Sequence, residues 1–446
     1  MAEAMKKEIR EVRNLLRNRG KIDPKSAAQY AAQGGFEGLR KALAMEPEEI
    51  IEVVKESGLR GRGGAGFPTW RKMQFTGTAE DPVRYIVCNA DEGEPGTNKD
   101  RILLSSDPCS VFEGMAICGK AVGAHVGYIY LRAEYTYIFP IMQAALEDAE
   151  RLNYLGKNMM GSGYDFEIKF RSGAGAYVCG EETALFESIE GKRGEPRFRP
   201  PFPSIKGLFG KPTMLNNVET LANIAPILDH GAAWFRQNGT ENSPGTKLFT
   251  VCGNVERRGV FEFPMGVNLK DIIYEVCGGI QDGNRLLCVQ TGGTSGAIIN
   301  PDQIDLNLDI DSVSASGGRL GCGTILVVDD RNCIVDVVLN NLDFFRGESC
   351  GKCTPCREGG QQLYNLVRRI AKGKGSVKDL DKVEELCETM QLTSLCGLGV
   401  STSVPVLSSI RNFRREYLHH IDKDYCKICS REGAEAAEDR RQGKEE

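Results

Sequence analysis

The chain has 446 residues, 26% of them charged and 41% hydrophobic, which is enough for substantial cores and two or three domains. Its formal net charge is only −5, so the composition has no basic excess and we expect no nucleic-acid partner. No apolar run approaches the roughly 20 residues of a transmembrane segment, and the N-terminus lacks the apolar core of a signal peptide. We therefore expect a cytoplasmic protein that is soluble or peripheral to a membrane complex.

Residues 1–57 are predicted to be helical, because FEGLRKALAM and PEEIIEVVKESG place apolar residues at three- and four-residue spacing. A glycine-rich loop follows at 58–66. Strand-like segments at 83–90, 126–132 and 166–173 then alternate with helical ones. This alternation predicts an α/β domain over residues 58–240.

Short strand-like segments separated by glycine turns occupy residues 245–330, with one helical stretch, LKDIIYEVCGG, and predict a small α+β domain. Residues 333–425 hold four amphipathic stretches and are predicted to form a helical domain. Residues 426–446 contain a cysteine pair and a charged tail without large apolar residues, which we expect to be disordered.

The composition includes sixteen cysteines, which in a chain without a secretion signal favour metal binding over disulfides. Nine of them stand singly, and we interpret each of these as a small buried apolar residue. They are Cys88, Cys109, Cys118, Cys179, Cys252, Cys277, Cys288, Cys322 and Cys333.

Three cysteines of the helical domain form the run Cys350-Gly-Lys-Cys353-Thr-Pro-Cys356, and a fourth, Cys396, follows in SLCGLG. Four thiolates are the ligand set of a cubane cluster, and C-x2-C spacing lets one loop supply three of them. Structural zinc also uses C-x2-C, but it normally takes two separate pairs. The pattern therefore favours a [4Fe–4S] cluster over zinc.

The loop GLRGRGGAGFP (58–68) has the G-x-G-x-x-G spacing of a dinucleotide fingerprint. It follows a helix instead of a strand, so a standard Rossmann NAD site is disfavoured. The loop can still wrap a phosphate with backbone N–H groups, or it can be an ordinary glycine-rich connection. The acidic turn DEGEPG (91–96) likewise can face a polar ligand or be a solvated turn.

Three later segments also allow a ligand-binding and a structural interpretation. In GAGAYVCGEETAL (173–185), Tyr177 can cover a ring face, while the two glutamates can equally be helix-start residues. Phe202, on a proline-flanked loop, can be a stacking platform or a packing residue. The pair Asn216-Asn217 can hold a ligand or cap a helix.

Taken together and in this order, these segments closely resemble the NADH-binding flavoprotein subunit of respiratory complex I and its relatives in NAD-linked hydrogenases and formate dehydrogenases. The resemblance covers roughly residues 28–425. It implies a fold of class α/β plus α, with a Rossmann-like FMN domain, a ubiquitin-like β-grasp (SLBB) domain and a C-terminal helical bundle that carries an iron–sulfur cluster.

The resemblance also assigns roles to individual residues. FMN contacts fall on Gly61, Gly63, Lys72, Asn89, Asp91, Glu92, Tyr177, Gly180, Glu181, Asn216 and Asn217. NADH contacts fall on Phe67, Phe75 and Phe202, which would stack on the adenine, and on Glu94 and Glu182. The [4Fe–4S] ligands are Cys350, Cys353, Cys356 and Cys396.

The implied activity is hydride exchange between NAD(H) and FMN, followed by single-electron transfer through the cluster to partner subunits. No protein acid or base is needed for the hydride step. The expected partners are a thioredoxin-like [2Fe–2S] subunit and a further catalytic iron–sulfur subunit. The C-terminal cysteine pair favours a soluble hydrogenase or transhydrogenase complex, with electron bifurcation as one option. Complex I or a formate dehydrogenase is the alternative, and a non-enzymatic metal scaffold is the rival class.

A second metal is suggested by the C-terminal sequence HHIDKDYCKIC. Cys426-x2-Cys429 with nearby His420 makes up three ligands of a tetrahedral structural zinc site, and Cys387 is the expected fourth. The alternatives are solvent-facing thiols beside a surface histidine, or the remnant of a ferredoxin domain.

Overall fold

The computed structural model describes residues 11–423 and Cys426, and the predicted disordered tail lies outside them. The described residues form an α/β unit, a mixed-sheet unit and a helical unit, in this order along the chain. These architectures match the predicted sequence of α/β, α+β and helical regions.

The α/β unit is built on a four-stranded sheet of parallel strands. Its strands are Tyr85–Ala90 (β1), Val126–Leu131 (β2), Glu167–Ser172 (β3) and Thr213–Asn217 (β4), in the spatial order β3-β2-β1-β4. The first three coincide with predicted strands, whereas β4 was not predicted. It contains two asparagines in five residues, so its sequence has no apolar alternation to reveal it.

Helices cover this sheet and include the N-terminal segment. They are Ala27–Ala32 (α1), Glu37–Leu43 (α2), Pro47–Ser57 (α3), Thr69–Gly77 (α4), Lys99–Ser106 (α5), Pro108–Val122 (α6), Phe139–Arg151 (α7), Glu182–Ile189 (α8), Pro203–Lys206 (α9), Val218–Ala222 (α10), Ile224–His230 (α11) and Ala232–Phe235 (α12). One hydrophobic core contains residues from Leu15 to Phe235, together with Leu248 and Val260 of the next unit. The described part of segment 1–57 therefore packs as part of this unit and has no core of its own.

Glu113 of the buried helix α6 holds the N-terminal helices in place. Its carboxylate accepts hydrogen bonds from the Tyr30 hydroxyl (2.6 Å), the Phe36 N–H (2.9 Å) and the Leu39 N–H (2.9 Å). Burial raises the pKa of Glu113, and these three donors oppose that shift. A single buried carboxylate thus fixes α1 and the start of α2 against the sheet-covering helix.

The second unit is a five-stranded mixed sheet. Its strands are Thr246–Gly253 (β5), Gly259–Pro264 (β6), Leu286–Thr291 (β7), Ile298–Ile299 (β8) and Thr324–Asp329 (β9), in the order β6-β5-β9-β7-β8. The predicted helix in LKDIIYEVCGG appears as Leu269–Asp271 (α13) continued by a π-helical turn, and Ile310–Ala315 (α14) was not predicted. This unit has a separate hydrophobic core.

The third unit consists of the helices Ile334–Glu348 (α15), Gly360–Ala371 (α16), Val377–Thr393 (α17) and Gly397–Lys423 (α18). The first three begin and end close to their predicted limits. Helix α18 extends to Lys423, so His420 lies within its last turn. Within residues 11–423, no helix has the length and apolar character to cross a membrane.

Glu113→Ala should destabilise the protein, because it leaves the Phe36 and Leu39 N–H groups and the Tyr30 hydroxyl buried without an acceptor. We expect the free energy of unfolding in urea, followed by circular dichroism, to fall by about 3 kcal/mol. Glu37→Ala is the matched control, because Glu37 is exposed and pairs with exposed Arg40; it should change stability by less than about 0.5 kcal/mol. Equal effects of the two substitutions would contradict this role of Glu113.

Candidate functional site

The predicted flavin residues of the sheet converge at one edge of the parallel sheet. The carboxyl ends of β1 and β4 lie side by side, with Asn89 opposite Asn217 and Cys88 opposite Asn216. The chain leaves β1 toward β2 and β3 on one side and later returns as β4 on the other, so a topological switch point lies between β1 and β4. Ligands of open α/β sheets bind in the crevice at such a point.

The amide groups at this edge are only partly satisfied by protein. The Asn89 amide donates to the Gly180 carbonyl (2.8 Å) and accepts from the Asp91 N–H (3.0 Å). Asn217 caps α10 by accepting from the Glu219 N–H, as the alternative interpretation of this residue proposed. By contrast, the Asn216 Nδ2 and Asp91 Oδ2 atoms are buried without any hydrogen-bond partner. Buried polar atoms of this kind need a polar ligand or water.

The glycine-rich loop joins this edge to the second unit. It follows α3 and precedes α4, which confirms that it is not part of a βαβ nucleotide site. A Cβ atom on Gly63 would lie 2.7 Å from the Asn217 Cβ, so only glycine permits this approach to the sheet. The loop also lines a cavity of about 380 Å³, in which Gly61 is the one predicted flavin residue.

That cavity is rich in cationic side chains, with Arg60, Arg62, Lys247 and Arg319 in its wall. Arg62 is only 2% exposed, and its Nε atom has no hydrogen-bond partner. Burial lowers the pKa of Arg62 to about 10 and that of Lys247 to about 8. Backbone N–H groups of the loop and buried cations together suit a phosphate group.

A buried ion network beneath the loop was not predicted from the sequence. Glu219 of α10 is fully buried, and its Oε2 lies 3.1 Å from Lys99 Nζ and 3.3 Å from Lys247 Nζ. Lys99 also pairs with Asp100 at 2.6 Å. Burial favours the neutral form of Glu219, but the attraction of Lys247 and Lys99 outweighs it and leaves the pKa below its usual value. In the sequence, this network is represented by the charged residues in TNKDR and NNVETLAN. Their spacing along the chain cannot show that they meet in the folded protein.

The acidic turn after β1 contains three carboxylates, Asp91, Glu92 and Glu94, and each has a different environment. Burial raises the pKa of Asp91 to about 7, although Arg132 opposes the shift. Glu92 is buried, and it accepts from the Asp100 N–H, the Arg101 N–H and the Tyr135 hydroxyl. Its oxygens are therefore occupied by the start of α5, which favours a structural role over direct nucleotide contact.

Glu94 connects the turn to both neighbouring units. One of its carboxylate oxygens accepts from the Tyr177 hydroxyl (2.7 Å), and the other accepts from the Ser295 N–H (3.1 Å) and the Thr294 hydroxyl (2.5 Å). The Tyr177 ring packs edge-on against Phe344 of α15, with centroids 5.1 Å apart. Glu94, a predicted NADH contact, thus lies where all three units meet.

The remaining predicted nucleotide residues lie around the start of α8. Glu181 is the N-cap of this helix, which is the structural role considered for it. Glu182 pairs with Arg199 at 2.7 Å. The Lys72 ammonium donates to the Leu215 carbonyl at the sheet edge (2.9 Å), and burial lowers its pKa while Glu182 opposes the shift.

The three predicted stacking aromatics have partly exposed rings. Phe67 is 40%, Phe75 50% and Phe202 55% exposed, which is unusual for large apolar side chains that serve only packing. Their exposure is compatible with a planar ligand that covers them.

The four predicted cluster cysteines line one small cavity of the helical unit, which Val178 and Pro196 of the α/β unit border on the other side. Cys350, Cys353 and Cys356 come from the loop between α15 and α16, and Cys396 from the residue before α18. The Leu398 and Gly399 N–H groups donate toward the Cys396 sulfur, and the Ser349 hydroxyl lies 3.2 Å from the Cys356 sulfur. Four thiols with nearby hydrogen-bond donors to sulfur are the environment that a [4Fe–4S] cluster requires.

The predicted zinc ligands are only partly brought together. His420 and Cys426 lie in one group, but its third member is Cys333, which the sequence analysis had treated as a buried apolar residue. Cys387 is not a member, because it faces the helical core from α17. Cys429 lies outside the described residues. The prediction that Cys387 joins His420 and Cys426 is therefore wrong. Cys333 takes its place, because the start of α15 meets the end of α18, and this contact cannot be read from distance along the sequence.

Comparison with protein families identifies three regions of the chain. Residues 54–226 match the model of the Nuo51 FMN-binding domain, residues 248–298 the SLBB domain, and residues 336–420 the NADH-ubiquinone oxidoreductase-F iron–sulfur binding region. The three matches fall on the α/β, mixed-sheet and helical units respectively. They support FMN and a [4Fe–4S] cluster as the cofactors of these units.

Relatives match nearly the whole chain. The NADP-reducing hydrogenase subunit HndC of Solidesulfovibrio fructosivorans is 47% identical over 94% of this chain and 85% of the relative. An NADH-quinone oxidoreductase subunit of Rhizobium meliloti is 44% identical over 92% of this chain and 98% of the relative. The solved structure of an NAD+-reducing [NiFe]-hydrogenase in the H2-reduced state aligns with a TM-score of 0.78 and 40% identity, over 91% of this chain and 68% of that one.

Glu219→Gln should destabilise the protein, because it leaves the Lys99 and Lys247 ammonium groups buried with one counter-charge fewer. We expect a loss of about 3 kcal/mol in the free energy of unfolding by urea. Glu52→Gln is the control, because it breaks only an exposed pair with Lys55 and should cost less than about 0.5 kcal/mol. If the two variants unfold at the same urea concentration, the network is not a structural requirement.

Proposed function

The chain belongs to the family of NADH-binding flavoprotein subunits of complex I and NAD-linked hydrogenases, and from that premise we propose that it exchanges electrons between NAD(H) and partner subunits. Its activity is of the NADH dehydrogenase type. Bound FMN would supply the conversion between the electron pair of a hydride and the single electrons that an iron–sulfur cluster accepts.

We call the crevice at the carboxyl ends of β1 and β4, together with the acidic turn and the glycine-rich loop beside it, the cleft. The observation that carries this proposal is that the cysteine cavity lies directly behind the cleft. Val178 lines the cysteine cavity, while its neighbour Tyr177 hydrogen-bonds Glu94 in the cleft. Val178, Cys356 and Cys396 belong to one buried apolar cluster. One short segment, Tyr177–Gly180, therefore separates the two proposed cofactor sites, as electron transfer between them requires.

The residues of the cleft would bind and orient the two nucleotides. Asn216 Nδ2 and Asp91 Oδ2 offer unpaired polar atoms to the flavin at the sheet edge, and the glycine-rich loop offers N–H groups and Arg62 to a phosphate. The exposed rings of Phe67, Phe75 and Phe202 would cover the adenine of NAD(H). Cys350, Cys353, Cys356 and Cys396 would hold the cluster.

The partner subunits are proposed from the electron path. Cys350 and Cys353 are only half-buried, so the cluster would approach the surface on their side of the cavity. Relatives of this chain are subunits of larger complexes, and a partner that carries further clusters, such as a thioredoxin-like [2Fe–2S] subunit, would accept electrons there. A hydrogenase-type complex is our first proposal and complex I the second; electron bifurcation and a cytoplasmic location stay predictions.

Cys353→Ser should separate flavin reduction from electron exit. We expect NADH to reduce the flavin at the normal rate in stopped-flow absorbance, while iron content falls and turnover with one-electron acceptors slows by at least about tenfold. Cys252→Ser is the control, because Cys252 is partly exposed in β5 and lies outside the cysteine cavity. Normal iron content and turnover in the Cys353 variant would show that Cys353 is not a ligand.

The cleft should favour NADH over NADPH. Because the oxygens of Glu92 are occupied, we attribute repulsion of the 2′-phosphate to Glu182, partly offset by Arg199. We expect kcat/KM for NADH to exceed that for NADPH by at least about tenfold, and Glu182→Gln to narrow the ratio. One relative of this chain is named as a subunit of an NADP-reducing hydrogenase, so membership of the family does not by itself decide between NADH and NADPH.

The control for nucleotide choice is Glu48→Gln, an exposed carboxylate of α3, which should leave the ratio of the two kcat/KM values unchanged. Equal kcat/KM for NADH and NADPH in the wild-type protein would refute the role assigned to Glu182. An unchanged ratio in the Glu182 variant would refute it as well.

A further inference from the structure

We propose that the loop 292–296 of the second unit is a clamp that positions the acidic turn for the nicotinamide nucleotide, with Thr294 and Ser295 acting through Glu94. This role rests on the proposed binding of NAD(H) in the cleft. It gives a function to the second unit, which supplies none of the predicted nucleotide contacts. The loop connects β7 to β8, and Glu94 is the residue of the turn that it holds.

The Glu94 carboxylate is fully supplied with hydrogen-bond donors. Its Oε1 atom accepts from the Thr294 hydroxyl (2.5 Å) and the Ser295 N–H (3.1 Å). Its Oε2 atom accepts from the Tyr177 hydroxyl (2.7 Å) and the Ser295 hydroxyl (3.2 Å). A carboxylate offers about four lone-pair positions, and these four donors fill them. Glu94 therefore acts on a bound nucleotide through the position of the turn, and not by accepting further hydrogen bonds.

Glycine at position 293 is needed for this contact. Gly293 has a φ of +85°, and a Cβ atom there would lie 2.4 Å from the Glu94 Cγ atom. Any other residue would strain the backbone and also push the carboxylate away from its donors in the loop. The loop is therefore shaped to receive the Glu94 side chain.

A buried amide supports the loop from the second unit. Gln290 of β7 is fully buried, and its Nε2 atom donates to the carbonyl oxygens of Thr294 (3.1 Å) and Gly296 (3.2 Å). Its Oε1 atom accepts from the Nδ2 atom of Asn341 in α15 (3.1 Å). The loop is thus fixed to the first helix of the helical unit, and it cannot move with the turn unless these buried hydrogen bonds break.

The turn is tied to the second unit at a further point. The Thr97 hydroxyl lies 2.5 Å from the Thr324 hydroxyl of β9, and the Asn98 N–H donates to the Thr250 hydroxyl of β5 (3.3 Å). Residues 94–98 are therefore held in place by the second unit. A site that is already ordered avoids the entropic cost of ordering on binding, so the clamp should strengthen nucleotide binding more than it speeds the hydride step.

Removal of the Thr294 hydroxyl tests the clamp. Thr294→Val keeps the shape of the side chain and removes one donor to Glu94, whereas Thr294→Ser keeps the donor. We expect KM for NADH to rise about tenfold in the valine variant with kcat within about twofold of the wild type, and the serine substitution to restore KM. Thr389→Val is the matched control, because the exposed Thr389 hydroxyl bonds only the Glu385 carbonyl of its own helix; KM should not change.

Direct binding distinguishes the clamp from a contact that only stabilises the fold. The affinity of the oxidised, flavin-loaded protein for NAD+, measured by calorimetry, should fall about tenfold in Thr294→Val while the flavin content stays at the wild-type level. Ser295→Ala loses a hydroxyl but keeps its N–H donor, so it should show a smaller loss of the same kind; it also provides the test if Thr294→Val does not fold.

Three results would overturn the clamp: unchanged KM and NAD+ affinity in Thr294→Val, equal behaviour of the valine and serine variants, or a lower kcat at unchanged KM. Wild-type protein that holds no flavin or does not oxidise NADH would instead refute the proposed function, so the two failures can be told apart.

Discussion

The arrangement of the cleft depends on one buried carboxylate, Glu219, held between two buried ammonium groups. It connects α10, which follows β4, to Lys99 at the start of α5 and to Lys247 in β5 of the neighbouring unit. Lys247 also donates to the Arg62 carbonyl in the glycine-rich loop. Because an unpaired charge is costly in such a place, loop, sheet edge and second unit must keep their relative positions. Rigid placement of this kind is what a hydride donor and acceptor require.

The same residues that shape the cleft also link it to the cysteine cavity. Tyr177 reaches Glu94 with its hydroxyl and packs its ring on Phe344 of α15, and its N–H donates to Glu348 near the end of that helix. From the other side, Lys352 donates to the Pro196 carbonyl. The α/β and helical units are therefore joined immediately around the proposed electron path. The second unit adds Thr294 and Ser295 to the same junction.

Sequence patterns predicted what is local and missed what depends on contacts. Strands β1 to β3 and helices α15 to α17 have clear apolar periodicity, and the spacing of the four cluster cysteines is a local property of a loop plus one remote residue. Strand β4 and the network around Glu219 were missed, because a polar strand has no periodic signal and a buried ion pair looks like surface charge in sequence. Cys333 is buried in the helical core as predicted, but its position beside His420 could not be predicted, because only the fold brings the two residues together.

Helix α18 runs from the cysteine cavity of the helical unit to the group formed by Cys333, His420 and Cys426. It begins directly after Cys396, and its last turn carries His420. The helix also contains Pro405 and a non-helical residue, Phe413, so its two ends are not rigidly coupled by regular hydrogen bonding alone. At its far end, the His420 Nε2 atom lies 3.5 Å from the sulfur of Cys333, the N-cap of α15, and the other end of α15 precedes Cys350. Both helices that deliver cysteines to the cluster cavity therefore also meet at their far ends, which restricts how far the walls of the cavity can move apart.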